Sequence, residues 1–291
     1  MVYNKKITVW SVLKIIILVL VSITMIYPFL YMTAVTFSSN FYVLGGQITI
    51  FPKGFNIEAY KNIFQNKQIF IGYKNTIIYV LVGTAIALFI TTLGAYALSK
   101  SKKLIFHSFF TVFFLIPLLF NGGMIPTYLA ISSYGMIDSI WAVVLPGSVS
   151  IFNLIIMRSF FVAGDIKPIE ESGELDGMND IQILLYLVLP TSQAILATIG
   201  LFYAVGLWNS FMGPFLYLNT ASKFTLQMII RQIVLQGVYE MDEVFDESQA
   251  YIIADTVKYT AIIVSIAPII AIYPFIQKFF VKGVMIGSVK G

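Results

Sequence analysis

The chain has 291 residues, 58% of them hydrophobic and only 11% charged, with a mean hydropathy of +0.88; a soluble domain carries roughly a quarter charged residues. That composition excludes an ordinary water-soluble globule and fits a protein that crosses a bilayer several times. The absence of cysteine excludes disulfides, thiolate metal sites and cysteine nucleophiles, and one histidine, His107, cannot build a His-rich metal site. The net charge of +4 comes from lysines flanking apolar runs, with no basic, aromatic-laced stripe for nucleic acid.

In chain order, Lys5, Lys6 and Lys14 precede an apolar run that is too long for a signal peptide and lacks a small-residue cleavage site, so it reads as a retained first span. A span needs about 20 predominantly apolar residues. Six runs qualify: Leu13 to Thr36 (with Pro28 late in it), Asn75 to Leu98, Phe106 to Ile125, Ile140 to Phe161, Pro190 to Leu218 and Ile252 to Phe275. Their length predicts helices, since barrel strands would be shorter and alternating. The expected fold is an all-α integral membrane protein of six transmembrane helices, a single domain over 1–291.

Lysine and arginine set the orientation. With the N-terminus inside, eleven cationic residues fall on inner segments and seven on outer ones, and the inner turn SKSKK at 99–103 gives the clearest vote. Both termini are then cytoplasmic. In the first outer loop, Pro52 and Gly54 mark a turn. Asn56 is a candidate N-cap for a short helix from Ile57, with Phe55, Tyr60 and Phe64 suited to the membrane interface. In the second, Gly122, Gly123 and Pro126 predict broken backbone at membrane depth. In the third, residues 224–234 suggest a short amphipathic helix lying on the membrane surface, followed by the acids Glu240, Asp242, Glu243, Asp246 and Glu247.

The longest strongly polar interval on the inner side is Glu171 to Pro190. Glu170, Glu171, Glu174, Asp176 and Asp180 crowd together, Gly173 and Gly177 interrupt them, and an apolar run restarts at Ile181. A helix, a glycine turn and a second helix is the natural reading. The bland alternative is a solvated acidic loop between two spans. The order Glu171, Ser172, Gly173, then Gly177, Leu187, Leu189 and Pro190 resembles the loop of ABC importer permease subunits, where the usual pair after the glutamate is Ala-Ala. The tail FFVKGVMIGSVKG at 279–291 resembles that of maltose-transporter-type carbohydrate permeases.

The resemblance implies a type I ABC importer permease fold, with a coupling-helix loop at about 162–189 and a cytoplasmic tail at about 278–291. It implies that Glu171, Ser172, Gly173, Asp176, Gly177, Leu189 and Pro190 couple to an ATPase, and that Gly287, Lys290 and Gly291 enter the ATPase interface. The implied partners are a homologous second permease, two ATPase subunits that hold ATP and Mg, an extracellular solute-binding protein reached by the third outer loop, and an oligosaccharide. The implied location is a bacterial plasma membrane.

The chain's own chemistry is sparse. No Gly-Lys pair exists, so no Walker A loop can form, and there is neither a G-x-S-x-G elbow with a His partner nor an HExxH helix. An enzyme is not expected, and this chain should bind no cofactor of its own. The spans are almost free of ionisable groups; Asp255 and Lys258, three apart at the start of the sixth, could pair. That scarcity disfavours a proton-coupled secondary transporter. Neutral hydrogen-bonding residues are present instead: Tyr79, Asn121, Asn153, Gln193, Tyr203, Trp208 and Asn209. Amides beside aromatic rings suit a sugar, with Trp208 and Asn209 the leading pair for a solute path. Each of them could equally serve helix packing. A non-sugar solute, a stand-alone transporter and a membrane scaffold remain the alternatives.

Overall fold

The computed structural model describes residues 9–100, 103–162, 166–239, 256–274 and 277. Lys5, Lys6, Lys102, the acids at 240–247, Asp255 and the tail with Gly287, Lys290 and Gly291 lie outside the described residues. Among the described residues no strand forms, and one antiparallel bridge joins Ser38 to Phe55.

The 28-residue α1 (Val9–Thr36) is followed by two short helices, α2 (Asn40–Leu44) and α3 (Glu58–Gln65), and by the 33-residue α4 (Lys67–Ser99). At 1.5 Å per residue, α4 is about 50 Å long, well beyond the roughly 30 Å hydrocarbon layer. Next come α5 (His107–Leu119) and α6 (Met124–Ser133), bent by 116° about Gly123 at φ +86°. Then follow α7 (Ile140–Val144), α8 (Ile151–Val162), α9 (Lys167–Leu175) and α10 (Asp180–Thr191). The last helices are α11 (Gln193–Trp208), α12 (Met212–Tyr217), α13 (Leu226–Tyr239) and α14 (Thr256–Pro274).

The expected spans are helical, but their continuity differs. Among the described residues, helices α1, α4 and α14 are each long and apolar enough to cross a bilayer, and the bent pairs α5–α6 and α10–α11 bring the number to five by length and composition. The third expected span stops at Leu119, just past Pro117. The fourth is interrupted at Pro146 and Gly147, where proline has no N–H to continue the helical hydrogen bonds. The fifth does not start straight at Pro190: the chain turns by 85° at Ser192.

Two compact units share the chain, Met1–Ile69 with Ile230–Pro268 and Phe70–Ile229 with Ile269–Gly291. In the first, Ala34, Val35 and Ile48 form a small core with Tyr31, Tyr42 and Tyr259 against it. The Ser38 hydroxyl donates to Ala34 O (2.6 Å) and accepts from Lys53 N (3.0 Å), which folds the loop after α1 back on that helix. Phe55 and Tyr60 stack on Phe37, at 5.8 and 4.8 Å. The helix opens at Glu58 with Ile57 at the N-cap position and not the expected Asn56, whose Oδ1 instead accepts from Glu58 N (2.9 Å) in a local turn before the helix.

In the second unit, the main core gathers Ala95 and Tyr96 of α4, Met157 and Phe161 of α8, Ile183, Leu184 and Val188 of α10, and Ile195, Ile199 and Tyr203 of α11. The first turn of α13 is buried here and not laid on a surface: a Cβ on Gly72 would meet Ile229 Cδ1 at 2.6 Å, and Thr76 Oγ1 accepts from Leu226 N (2.9 Å). This is why a glycine stands at 72, where α4 and α13 approach backbone to backbone.

Candidate functional site

The acidic elbow is built from ordinary helix chemistry. Pro168 opens α9, where a missing N–H costs nothing. The helix ends as Gly177 N donates to Glu174 O (3.1 Å) and Met178 N to Gly173 O (3.0 Å), with Gly177 at φ +75° in the left-handed region that glycine favours. Asn179 then starts α10 with a capping box: its Oδ1 accepts from Gln182 N, and Gln182 Oε1 accepts from Asn179 N, both at 2.9 Å. A π turn follows at Ile183–Val188. Gly173 is buried, and a Cβ there would meet Leu187 Cδ1 at 2.7 Å and Ile183 Cγ1 at 2.9 Å, so its smallness lets α9 lie against α10. Leu175 (89% exposed) and Ile181 (69%) stand out beside the acids.

A second feature is a cavity of about 650 Å³ between α7, α8, α11 and α12. Asn153, Tyr203, Phe202, Phe152, Ser150 and Ser210 are among the residues that line it, and no lining residue is charged. The Tyr203 hydroxyl shares a 2.6 Å hydrogen bond with Thr91 Oγ1 and accepts from Ser150 N (3.0 Å), which holds the ring in place. Rings with hydroxyl and amide groups in a half-open cavity of this size suit a neutral polar ligand with apolar faces.

No protein-family model matches the sequence. Full-length relatives do. The polygalacturonan/rhamnogalacturonan transport system permease protein YtcP of Bacillus subtilis is 38% identical over 279 residues, 94% of this chain and 96% of the relative. Protein LplC of the same organism is 38% identical over 266 residues, 91% and 90% of the two chains. The solved structure of a bacterial ABC transporter involved in import of the acidic polysaccharide alginate has a chain that superposes with a TM-score of 0.80 at 28% identity, covering 96% of this chain and 99% of that one. The chain belongs to the sugar permeases of ABC importers. It has their all-helical integral membrane fold.

In this permease Glu171, Ser172, Asp176 and Gly177 lie exposed on the elbow, with Ser172 Oγ donating to Ile169 O (2.8 Å). Leu189 is half-buried and Pro190 exposed near the end of α10. Of the six residues expected along a solute path, Asn153 and Tyr203 line the cavity. The other four do not. Tyr79 is buried and donates to Lys223 O (3.0 Å). Trp208 is buried with its ring 6.3 Å from Tyr73. Asn209 Nδ2 donates to Val205 O (2.9 Å) at the end of α11, and Asn121 Oδ1 accepts from Gly123 N (2.9 Å) within its own turn. Phe202, Tyr203, Gly206 and Leu207 of α11 border the cavity, whereas Trp208 and Asn209 at its end make the other contacts just described. Sequence reasoning missed Lys100 and Lys103, which pair with the elbow's acids and had been read as topology markers alone.

Proposed function

We propose that this permease forms half of the translocation pathway of an ATP-driven oligosaccharide importer and is driven through the 171–190 elbow. A homologous second permease completes the pathway, two ATPase subunits carry ATP and Mg and perform hydrolysis, and a solute-binding protein delivers substrate from outside. The bilayer is the bacterial plasma membrane, with both termini cytoplasmic. The tail residues Gly287, Lys290 and Gly291 enter the ATPase interface.

The observation that carries this reading is the elbow itself. It is a rigid, capped helix–turn–helix with Glu171, Asp176, Leu175 and Ile181 all turned to solvent. An acidic ridge with two exposed aliphatic side chains is a poor loop and a good plug for a cleft in a soluble subunit. The polygalacturonan/rhamnogalacturonan relative supports an oligosaccharide as the solute, and Asn153 and Tyr203 are the residues of this chain best placed to meet it. ATP closure would move the elbow, and the two permeases would rock to open the cavity outward.

The test is Glu171→Lys in the assembled transporter. It should leave membrane insertion and assembly of the permease pair intact and abolish ATP-coupled uptake of galacturonate-containing oligosaccharides. Normal uptake by this variant would sink the coupling assignment. Uptake by liposomes holding this chain alone would instead favour a stand-alone transporter.

A further inference from the structure

The main core of the second unit holds the elbow against α4 and α8 by apolar contact, which resists separation but permits sliding. What fixes register is a set of ion pairs at the end of α4. Lys100 Nζ lies 2.7 Å from Glu170 Oε2, with both side chains nearly buried (13% and 11% exposed), and 4.6 Å above the Tyr96 ring. The second oxygen of Glu170, Oε1, is buried without a hydrogen-bond partner, so Lys100 is the group that balances this carboxylate. One turn on, Lys103 Nζ bridges Glu174 Oε1 of α9 (2.8 Å) and Asp180 Oδ1 of α10 (3.1 Å), spanning the glycine turn between them. The same end of α4 is tied to other spans: Leu98 O accepts from Arg158 Nε of α8 (3.0 Å), and His107 Nε2 of α5 lies 3.0 Å from the same oxygen.

We propose that Lys100 and Lys103 are positioning residues of the transport stroke, a latch that delivers displacement of the elbow to α4. The proposal rests on the reading of the elbow as the ATPase-coupling element. Lys100 holds the first elbow helix to α4 in one register, while Lys103 sets the angle between the two elbow helices. Because α4 also carries Thr91, which holds Tyr203 at the cavity, motion of its end is connected to the cavity wall through one continuous helix.

The chain contains no cysteine, so a single introduced cysteine is this subunit's one thiol, and labelling and cross-linking are read on the permease band. In the complete transporter, Ser172→Cys tests the underlying reading by cross-linking to the ATPase subunit. Ser210→Cys, on the cavity wall, tests the latch through its labelling rate with a membrane-impermeant maleimide, with and without ATP and vanadate. With native lysines the nucleotide should change that rate by about tenfold, a coupling of ordinary size. Lys100→Glu should cut the response below about twofold, and the swapped pair Lys100→Glu with Glu170→Lys should restore most of it. Lys103→Ala, at an exposed position where folding is not at stake, should lower the response about threefold. If Ser172→Cys cross-links and either lysine variant keeps the full response, or the swap restores nothing, the latch is overturned while the coupling reading stands. If Ser172→Cys never reaches the ATPase, the coupling reading fails and the latch falls with it.

Discussion

Asp138 and Lys103 are both ion-paired residues of the same compact unit, yet they hold the chain in different ways. Asp138 sits in the left-handed region at φ +58°. Its Oδ1 accepts from Asn219 N (2.9 Å) and Thr220 N (3.0 Å), and its Oδ2 from Thr220 Oγ1 (2.6 Å) and Lys223 Nζ (2.7 Å). Its own carbonyl also accepts from Lys223, and its N–H donates to Tyr217 O. Lys103 meets two carboxylates, all three side chains about half exposed. A carboxylate fastened to fixed backbone N–H groups cannot tilt without losing several bonds at once. A lysine fork on a flexible stem can follow its partners. One is a clamp and the other a tether.

The largest expected effect is at the clamp. Asp138→Ala strands the Asn219 and Thr220 N–H groups and the Lys223 ammonium, so it should lower the Tm of the detergent-solubilised transporter clearly more than Lys103→Ala does. Equal shifts would erase the distinction. The pH dependence sharpens it. The Lys223 ammonium first, then the Thr220 hydroxyl and the Thr220 and Asn219 N–H groups, hold the Asp138 carboxyl well below the usual carboxylate range. A depressed folded value means the stabilisation is present above the unfolded value of about 3.9 and fades as pH falls toward the folded one. The Tm gap between the native chain and Asp138→Asn should therefore be steady from about pH 8 to pH 5 and shrink below about pH 4. A gap that already closed near neutrality would contradict this geometry.

Next in size is the packing under the tether. Gly173→Leu forces a branched side chain against Leu187 and Ile183 and should destabilise by about 1–3 kcal/mol, the usual cost of overpacking. Gly173→Ala is a different case. Its Cβ would press on the flexible end of Leu187 but also on Cγ1 of the fully buried Ile183, so the roughly 1 kcal/mol gain in helix propensity should only partly offset the repacking, and the loss should be smaller than that of the leucine variant. Thermal melts of the two variants separate the cases: a severe loss with alanine would mean that α9 and α10 are locked as rigidly as the clamp. Smaller again is Asn179→Ala, which removes the capping box and should cost about 1 kcal/mol, visible as faster amide exchange confined to the start of α10.

These sites differ in how far they could be read in advance. The elbow was legible because its punctuation is local: Gly177 ends one helix, and acids mark a solvent-facing loop. The apolar runs were legible from length alone. Their interruptions were partly so, since Gly122 and Gly123 announced the break between α5 and α6, while Pro146 inside a mostly apolar run did not outweigh the hydropathy around it. Helix α4 starts eight residues before the expected span at Asn75, because Lys67, Gln68 and Lys74, read as loop, are helical too. Contacts between distant segments left no trace in any window. Asp138 with Thr220, Lys100 with Glu170 and Tyr203 with Thr91 are separated by 82, 70 and 112 positions, and nothing about each residue's neighbours in sequence names its partner.

The smallest expected effect falls on the tether itself. Lys103 is held charged by its hydrogen bonds to Glu174 and then Asp180, with its pKa raised above the ordinary lysine value. A raised folded value gives stabilisation that is complete below about pH 10 and lost only at higher pH, so no change is expected across neutral pH. Its exposure limits its worth to about 0–1 kcal/mol. A double-mutant cycle of Lys103→Ala with Asp180→Ala should return a coupling in that range at about 0.1 M salt and essentially none at about 1 M, where screening acts over roughly 3 Å. The nearly buried Lys100 and Glu170 pair, probed the same way, should keep most of its coupling at high salt, because little electrolyte reaches it. Should the Lys103 coupling survive 1 M salt undiminished, the elbow would be pinned by a desolvated contact, and the distinction between clamp and tether would fail.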